Sequence, residues 1–338
     1  MNSNPTLSEA IDSYLEHHRI AYSKATTRGT EQALRKFLAV VGNIQMRSLG
    51  PEHGERFQSW LVHKGYAANS INTYISGVSR FSTWAAARRM LRPGSGPMAT
   101  TRYARVIPKA RLRIPATDFP RVLDVAFRAD VRMMLALGFY LFLRHSDMTG
   151  IRVGDVSLSE GEIRLVIRKT SGYDVMPICS ELDAEIRRWY LVYQSDLGRS
   201  LRREDFLIPA HLRVPTWVVR ETGLYNPTKP VHNSSRLIQR SLERAGYAVA
   251  DEHGKTTREG MHTLRRSGAR AYYEELLRNG GQRDDILRQV MAMLHHSSVS
   301  ITEHYLGLEA DREKRDLRLK GKPMFAPIQG VTSIAREA

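Results

Sequence analysis

Leu294-His295-His296-Ser297-Ser298-Val299-Ser300-Ile301-Thr302-Glu303-His304-Tyr305 is the stretch on which the reading of this chain turns. It sets His296 nine residues before Tyr305. A phenol titrates near pH 10, so it attacks at neutral pH only beside cations or a base. Upstream, His262-Thr263-Leu264-Arg265 puts a histidine and an arginine three apart, on one face of a helix. Further upstream, Leu143-Arg144-His145-Ser146-Asp147 follows an apolar run. Between the two arginines stands Lys169, after the strand-like run Ile163 to Arg168 and before Ser171-Gly172.

Each piece alone has a bland reading. A tyrosine is more often core than nucleophile, and a lysine beside a turn is ordinarily just solvated. Arg144 alone reads as a helix-end arginine paired with Asp147 three residues on. Together the side chains form a chemical set. Two arginines, a lysine, two histidines and a tyrosine, with no acid in a catalytic place, are what attack on a phosphodiester by a phenol requires. The planar guanidinium fork matches phosphate oxygens and stays charged. Two such groups can stabilise the pentacoordinate transition state as metal ions do in nucleases.

Taken in order, Arg144, Lys169, His262-x-x-Arg265 and the His296…Tyr305 spacing resemble the tyrosine recombinase (phage integrase) family, from about Thr6 to about Lys320. That likeness implies a mainly α fold with a small antiparallel β-sheet, arranged as a two-domain C-shaped DNA clamp. The domains would be a four-helix, SAM-like core-binding domain over 1–92, a basic linker over 93–114 and an α+β catalytic domain over 115–320. The tail, 321–338, would pass between protomers. The resemblance makes Arg144 and Arg265 the phosphate clamps, with Asp147 bracing the site. It makes His262 a base or phosphate donor, Lys169 the acid that enters the minor groove and protonates the leaving 5′ oxygen, and Tyr305 the nucleophile. The family pattern is Leu-Gly-His, whereas His295 stands at the Gly position here. Which histidine faces the phosphate is open on the residues alone, and spacing to Tyr305 favours His296.

The implied reaction is site-specific cutting and rejoining of duplex DNA through a 3′-phosphotyrosyl link and a Holliday junction. Protomers would act as a dimer on one site and a tetramer on two, with no cofactor, metal or ATP. Two rivals remain. One is a type IB topoisomerase-like nicking-closing enzyme. The other is a DNA-binding accessory protein with an inactive site.

Composition points the same way. The 338 residues are long for one domain and comfortable for two, with 42% hydrophobic and 25% charged. A formal net charge of +16 favours a polyanion partner. Both portions share it: residues 1–99 hold 12 Lys/Arg against 6 Asp/Glu, or +6, leaving +10 for the remainder. From Arg56 to Thr117 there is no acid and there are eleven Lys or Arg. The candidates for DNA phosphates are Arg80, on a helix whose opposite face is apolar, and Arg88, Arg89, Arg102, Arg105, Lys109, Arg111 and Arg113.

Cys179 is the only cysteine, which excludes an intrachain disulfide and a cysteine zinc site and fits a reducing cytoplasm. The N-terminus has no apolar signal core, and the longest apolar stretch, Met133 to Leu143, is too short to span a bilayer. A cytoplasmic, bacterial or phage-encoded protein near the nucleoid is expected. Because the chain begins almost directly with helical sequence, simple sites are expected rather than sites with distant arms.

Periodicity and capping signals give the elements. Thr6 and Glu9 form a capping-box pattern. Thr26 to Val41 is helical with Gly42 as its stop, Pro51 opens a third helix, and Asn69 caps a fourth whose inward residues are Ile71, Tyr74, Ile75, Val78, Phe81 and Trp84. A helical region runs from near Asp118 to Leu143. Strands cover Glu162 to Arg168 and Asp174 to Ile178, about a Ser171-Gly172 turn. Helices follow at Ser180–Asp196, Ser234–Ala245, His262–Leu277 and Asp284–Leu294. Pro209 to Pro230 reads as a long loop.

Overall fold

The computed structural model describes residues 4–92, 94–106, 112–167, 172–212, 222–232, 234–250 and 256–308. The chain divides into two compact units, Met1–Ala110 and Arg111–Ala338. Mainly helical structure with small antiparallel sheets is what it adopts. Among the described residues, no helix is long and apolar enough to cross a membrane.

Among the described residues the first unit holds four α-helices: α1 (Leu7–Ala21), α2 (Lys24–Val41), α3 (Pro51–His63) and α4 (Ala68–Ala87). The capping box forms: the Thr6 amide donates to Glu9 Oε2 at 2.8 Å and the Glu9 amide donates to Thr6 Oγ1 at 3.4 Å. Gly42, with φ 87°, ends α2, and Pro51 sits in the first turn of α3. Asn69 does not cap α4. The cap position is Ala67, and it makes no side-chain hydrogen bond. Leu7, Ile11, Leu34, Phe37, Phe57, Leu61, Val78 and Phe81 are fully buried between the helices. Each contributes on the order of 1.5–3 kcal/mol by leaving water. Tyr74 and Trp84, expected inward, are only half-buried.

The acid-free stretch after α4 is not loose where it is described. The Asn72 side chain bonds both the amide and the carbonyl of Ala104, at 2.7 and 2.9 Å, and Gln58 donates to the Arg102 carbonyl at 2.6 Å. In the second unit, Arg266 donates to the Leu112 carbonyl at 2.7 Å and the Ile114 amide donates to Ser267 Oγ at 3.0 Å. Residues 107–111, with Lys109 and Arg111, lie outside the described residues.

In the second unit the helical region expected from near Asp118 to Leu143 comes as separate pieces. Ala116–Asp118 makes a single tight turn, and α5 (Phe119–Asp124) and α6 (Ala129–Tyr140) follow. Then come α7 (His145–Met148), β1 (Val156–Ser157), β2 (Glu162–Ile167), β3 (Gly172–Pro177) and α8 (Ser180–Leu197). After β4 (Pro209–His211), β5 (Tyr225–Pro230), α9 (Ser234–Arg244), β6 (Ala248–Ala250) and β7 (Thr256–Arg258), the described chain closes with α10 (Met261–Arg278), α11 (Arg283–Met293) and α12 (Val299–Leu306). Gly172 opens β3 rather than serving as a turn.

Among the described residues, three antiparallel sheets occur where one was expected: β1-β2-β3, β4-β5 and β6-β7. The supposed loop at 209–230 therefore supplies two strands. Its prolines mask the signal, because proline cannot donate to a ladder and is confined to edges and bulges, and the register here shifts between Pro209 and Ala210.

β2 alternates strictly, with Ile163, Leu165 and Ile167 buried. Helix α6 is buried on every side, as expected of a helix apolar all round. It crosses α10 at close range through two glycines. A Cβ on Gly268 would stand 1.8 Å from the Phe139 carbonyl oxygen, and one on Gly138 would stand 2.6 Å from Met261 Sδ. Phe142, Ala269, Tyr273, Ile286, Leu287, Val290, Leu294 and Leu306 form a separate apolar cluster that joins α10, α11 and α12. These two contacts set the positions of the residues singled out above.

Candidate active site

Arg265 is the centre of the arrangement. It projects from α10 and is 2% exposed. Its Nη1 donates to the Phe142 carbonyl and its Nη2 to the Leu294 carbonyl. Burial pushes this guanidinium down to about 10, still charged at neutral pH; the Tyr305 phenol opposes that shift and nearby Arg144 adds to it. Arg144 precedes α7, and its Nη2 donates to the same Leu294 carbonyl at 3.2 Å. Two guanidinium groups 121 positions apart in the chain thus converge on one backbone oxygen. Asp147, also buried, braces Arg144 with Oδ2 3.8 Å from Nη1. That Nη1 is buried and meets no hydrogen-bond acceptor among the described residues.

The end of α11 shapes the other side. The His295 amide donates to the Ala292 carbonyl and the His296 amide to the Met291 carbonyl, the paired bonds of a Schellman terminus. His295 takes the left-handed position, with φ 50°. Glycine is the ordinary occupant, and a side chain there costs on the order of 1–2 kcal/mol. A glycine at 295, as in a Leu-Gly-His sequence, would fit this turn without strain. Phe142, at φ 52°, is a second left-handed residue beside Arg265, so backbone strain gathers around the site.

The two histidines part company at the turn. His295 Nε2 lies 2.7 Å from Asp174 Oδ2 on β3. His296 turns toward α12: its Nδ1 is 3.1 Å from Thr302 Oγ1, and its ring packs edge-on against Tyr305, with centroids 5.1 Å apart at 79°.

Tyr305 is half-buried on α12, its ring centre 5.9 Å from the Arg265 guanidinium. Its hydroxyl donates to the His262 carbonyl at 3.4 Å. Burial pushes the phenol up, while Arg265, Arg266 and Arg144 pull it down. The His262 side chain is exposed at the start of α10, one turn from Arg265. Lys169 lies outside the described residues, in the segment joining β2 to β3. Three partners carried no sequence signal: the Leu294 carbonyl, Asp174 and Thr302. The non-glycine at 295 was the one mark that this corner differs. Among the described residues, no group of three His, Cys, Asp or Glu is arranged to hold a metal ion.

The DNA-facing candidates divide by environment. Arg80, Arg88, Arg89, Arg102 and Arg105 are exposed on the first unit. Arg80 Nη1 reaches Ser76 Oγ at 2.8 Å, and the Arg88 guanidinium lies 4.3 Å over the Trp84 ring. Arg113 is exposed too, but its guanidinium is paired: it bonds Glu274, which also accepts from Arg270 at 2.7 Å. Burial alone would raise the Glu274 carboxyl, but Arg270 and Arg113 hold it below its ordinary value.

Residues 114–312 match the sequence profile of the phage integrase family. The chain belongs to the phage integrase family. Tyrosine recombinase XerC of Proteus mirabilis is 23% identical over 315 residues, 90% of this chain and 91% of that protein. Among solved structures, a lambda integrase dimer bound to a COC′ core site matches with a TM-score of 0.66 at 16% identity, over 90% of this chain and 77% of that one. A lambda integrase tetramer bound to a Holliday junction matches with a TM-score of 0.65 at 16% identity, over 88% and 79%. These structural likenesses establish a shared fold for the integrase chain, and the membership by sequence agrees with it.

Proposed function

We propose that this chain is a site-specific DNA recombinase whose nucleophile is Tyr305. The Tyr305 Oη–phosphorus bond forms as the phosphorus–O5′ bond breaks. The product is a 3′-phosphotyrosyl link and a free 5′-hydroxyl. Arg144 and Arg265 hold the non-bridging oxygens, His296 supports them beside the nucleophile, and Asp147 fixes Arg144. His262 takes the phenolic proton or donates to the phosphate, and Lys169 protonates O5′. The phosphoester energy stays in the link, so rejoining needs no ATP, and guanidinium charge replaces metal charge. The observation that carries this reading is the convergence of the Arg144 and Arg265 guanidinium groups beside the Tyr305 ring, with the buried Arg144 Nη1 still lacking an acceptor among the described residues.

Duplex DNA is the substrate, with a dimer on one site and a tetramer on two exchanging strands through a Holliday junction. Solved relatives named as a dimer on a core site and a tetramer on a Holliday junction support this assembly. The polypeptide would comprise a core-binding domain over 1–92, a linker over 93–114, a catalytic domain over 115–320 and an exchanged tail over 321–338, closing as a clamp on DNA in the cytoplasm.

The test begins by selecting bound duplexes from a random pool, which yields the site. A nicked version of that duplex then traps the covalent adduct. The adduct should form in EDTA and be absent with Tyr305→Phe. An adduct on the Phe variant moves the nucleophile elsewhere, and cleavage restored only by magnesium replaces the reading with a metal-dependent nuclease. Relaxation of site-free plasmid without strand exchange would favour the topoisomerase-like enzyme.

A further inference from the structure

His295 stands apart from the chemistry assigned above. It occupies a left-handed position, φ 50°, where glycine fits without strain. Its ring makes a contact that glycine has no atoms to make: Nε2 meets Oδ2 of Asp174 at 2.7 Å, across 121 positions of sequence. The bond is an ion pair whenever the imidazole is protonated, and the histidine side chain is only 16% exposed. The other carboxylate oxygen, Oδ1, accepts from the Val175 amide at 2.8 Å, so Asp174 is held from both sides.

The two ends of this bond sit in informative places. On one side, Leu294 precedes His295 and its carbonyl anchors both arginines, while His296 follows and packs on Tyr305. On the other side, Asp174 lies on β3 opposite Leu165, two residues past the last described pair, Ile167 with Gly172. In the sequence Lys169 follows the last residue of β2, Ile167, by two positions. β1 pairs only with Glu162 and Ile163, so beyond them β2 and β3 form a two-stranded ribbon. Such a ribbon is marginal on its own. Its outer face leaves Val166 63% and Tyr173 65% exposed, so little packing steadies it from that side.

We propose that His295 is a positioning residue that clamps the β2–β3 ribbon, beyond its pairing with β1, to the α11–α12 junction, and so orders the two strands that lead into and out of the segment carrying Lys169. Asp174 is its counterpart. The proposal rests on the reading of Arg144, Lys169, Arg265 and Tyr305 as the phosphate site.

The experiment uses the full chain and the nicked duplex. His295→Gly and Asp174→Asn should each slow adduct formation roughly tenfold or more, the scale on which small misplacements cost rate. The double variant should be no slower than the slower single one, because both changes break one contact. His295→Gln, whose amide nitrogen reaches about as far as Nε2, should recover to within about threefold. The melting temperature of His295→Gly should equal or exceed that of the unaltered protein, since glycine accepts this backbone conformation. A slower enzyme that is no less stable separates positioning from a merely structural role.

A duplex with sulfur in place of the bridging 5′ oxygen supplies a further arm. Thiolate leaves without a proton from Lys169, so the His295→Gly defect should vanish there. Amide exchange across Glu162–Ile167 and Gly172–Pro177 should quicken in His295→Gly protein without DNA. If the unaltered protein makes no adduct, the proposed function fails, while exchange still decides the clamp. Undiminished rates in both single variants, additive losses in the double, or unchanged exchange would each overturn it.

Discussion

At the scale of single residues, the site is an argument about one buried cation. Arg265 keeps its charge despite burial because carbonyl oxygens and the Tyr305 ring surround it. The same charge pulls the phenol down against the burial that raises it. Removing the arginine therefore costs twice, in phosphate stabilisation and in nucleophile ionisation. Arg265→Ala and Arg144→Ala should each reduce single-turnover cleavage by about 10²–10³, the usual loss for one preorganised donor, with DNA affinity largely retained. In Arg265→Ala the residual rate should go on rising to higher pH than in the unaltered enzyme, because the phenol pKa moves up. Cleavage within a few-fold of normal, or a pH profile shifted the other way, would misplace the phosphate clamp. The side chains of this site were legible in sequence because spacing and order constrain them. The acceptor that gathers the arginines was not, since every residue carries a carbonyl and no letter marks Leu294.

Elements that announce themselves through local chemistry were readable: the Thr6–Glu9 box, the Gly42 stop, the proline opening α3 and the alternation of β2 all act within a few residues. Elements that depend on distant partners were not. β4 and β5 hold three prolines between them and pair across a bulge, so no period betrayed them. Helix α12, only eight residues, is stabilised by what it packs against rather than by its own propensity. The crossing of α6 and α10 belongs here too. Glycine inside a helix is ordinarily a weakness, yet Gly268 lets the Phe139 backbone approach where any Cβ would collide. Gly268→Ala should cost about 2–4 kcal/mol through overpacking and displaced backbone, although Ala is the better helix former. Cleavage should fall with it, since Arg265 lies one turn away on the same helix and Phe142 follows α6. Chemical denaturation and single-turnover cleavage check both; a neutral or stabilising substitution would show that the helices have room to part.

For the whole molecule, charge is the property that sequence displayed most openly and structure redistributes most. A net +16 and an acid-free run from Arg56 to Thr117 point to a phosphate-tracking surface, but they do not say which cations are available. The structure sorts them. Arg88, Arg89, Arg102 and Arg105 are exposed on the first unit, whereas Arg113 spends its charge on Glu274 beside Arg270. A lysine or arginine that binds phosphate releases counterions, and each such contact adds about 0.9 to the slope of log affinity against log salt. Replacing Arg102 and Arg105 together should therefore flatten the slope by up to about 2 units and weaken binding evenly across sequences. Arg113→Ala should leave the slope nearly unchanged and lower thermal stability instead, because its loss strips one of two cations from a half-buried carboxylate. Titrations of a labelled duplex from low to moderate salt separate the two. Equal slopes for Arg102/Arg105 and unaltered protein would place the phosphate track elsewhere, and a flattened slope for Arg113→Ala would mean that Glu274 yields its partner to DNA.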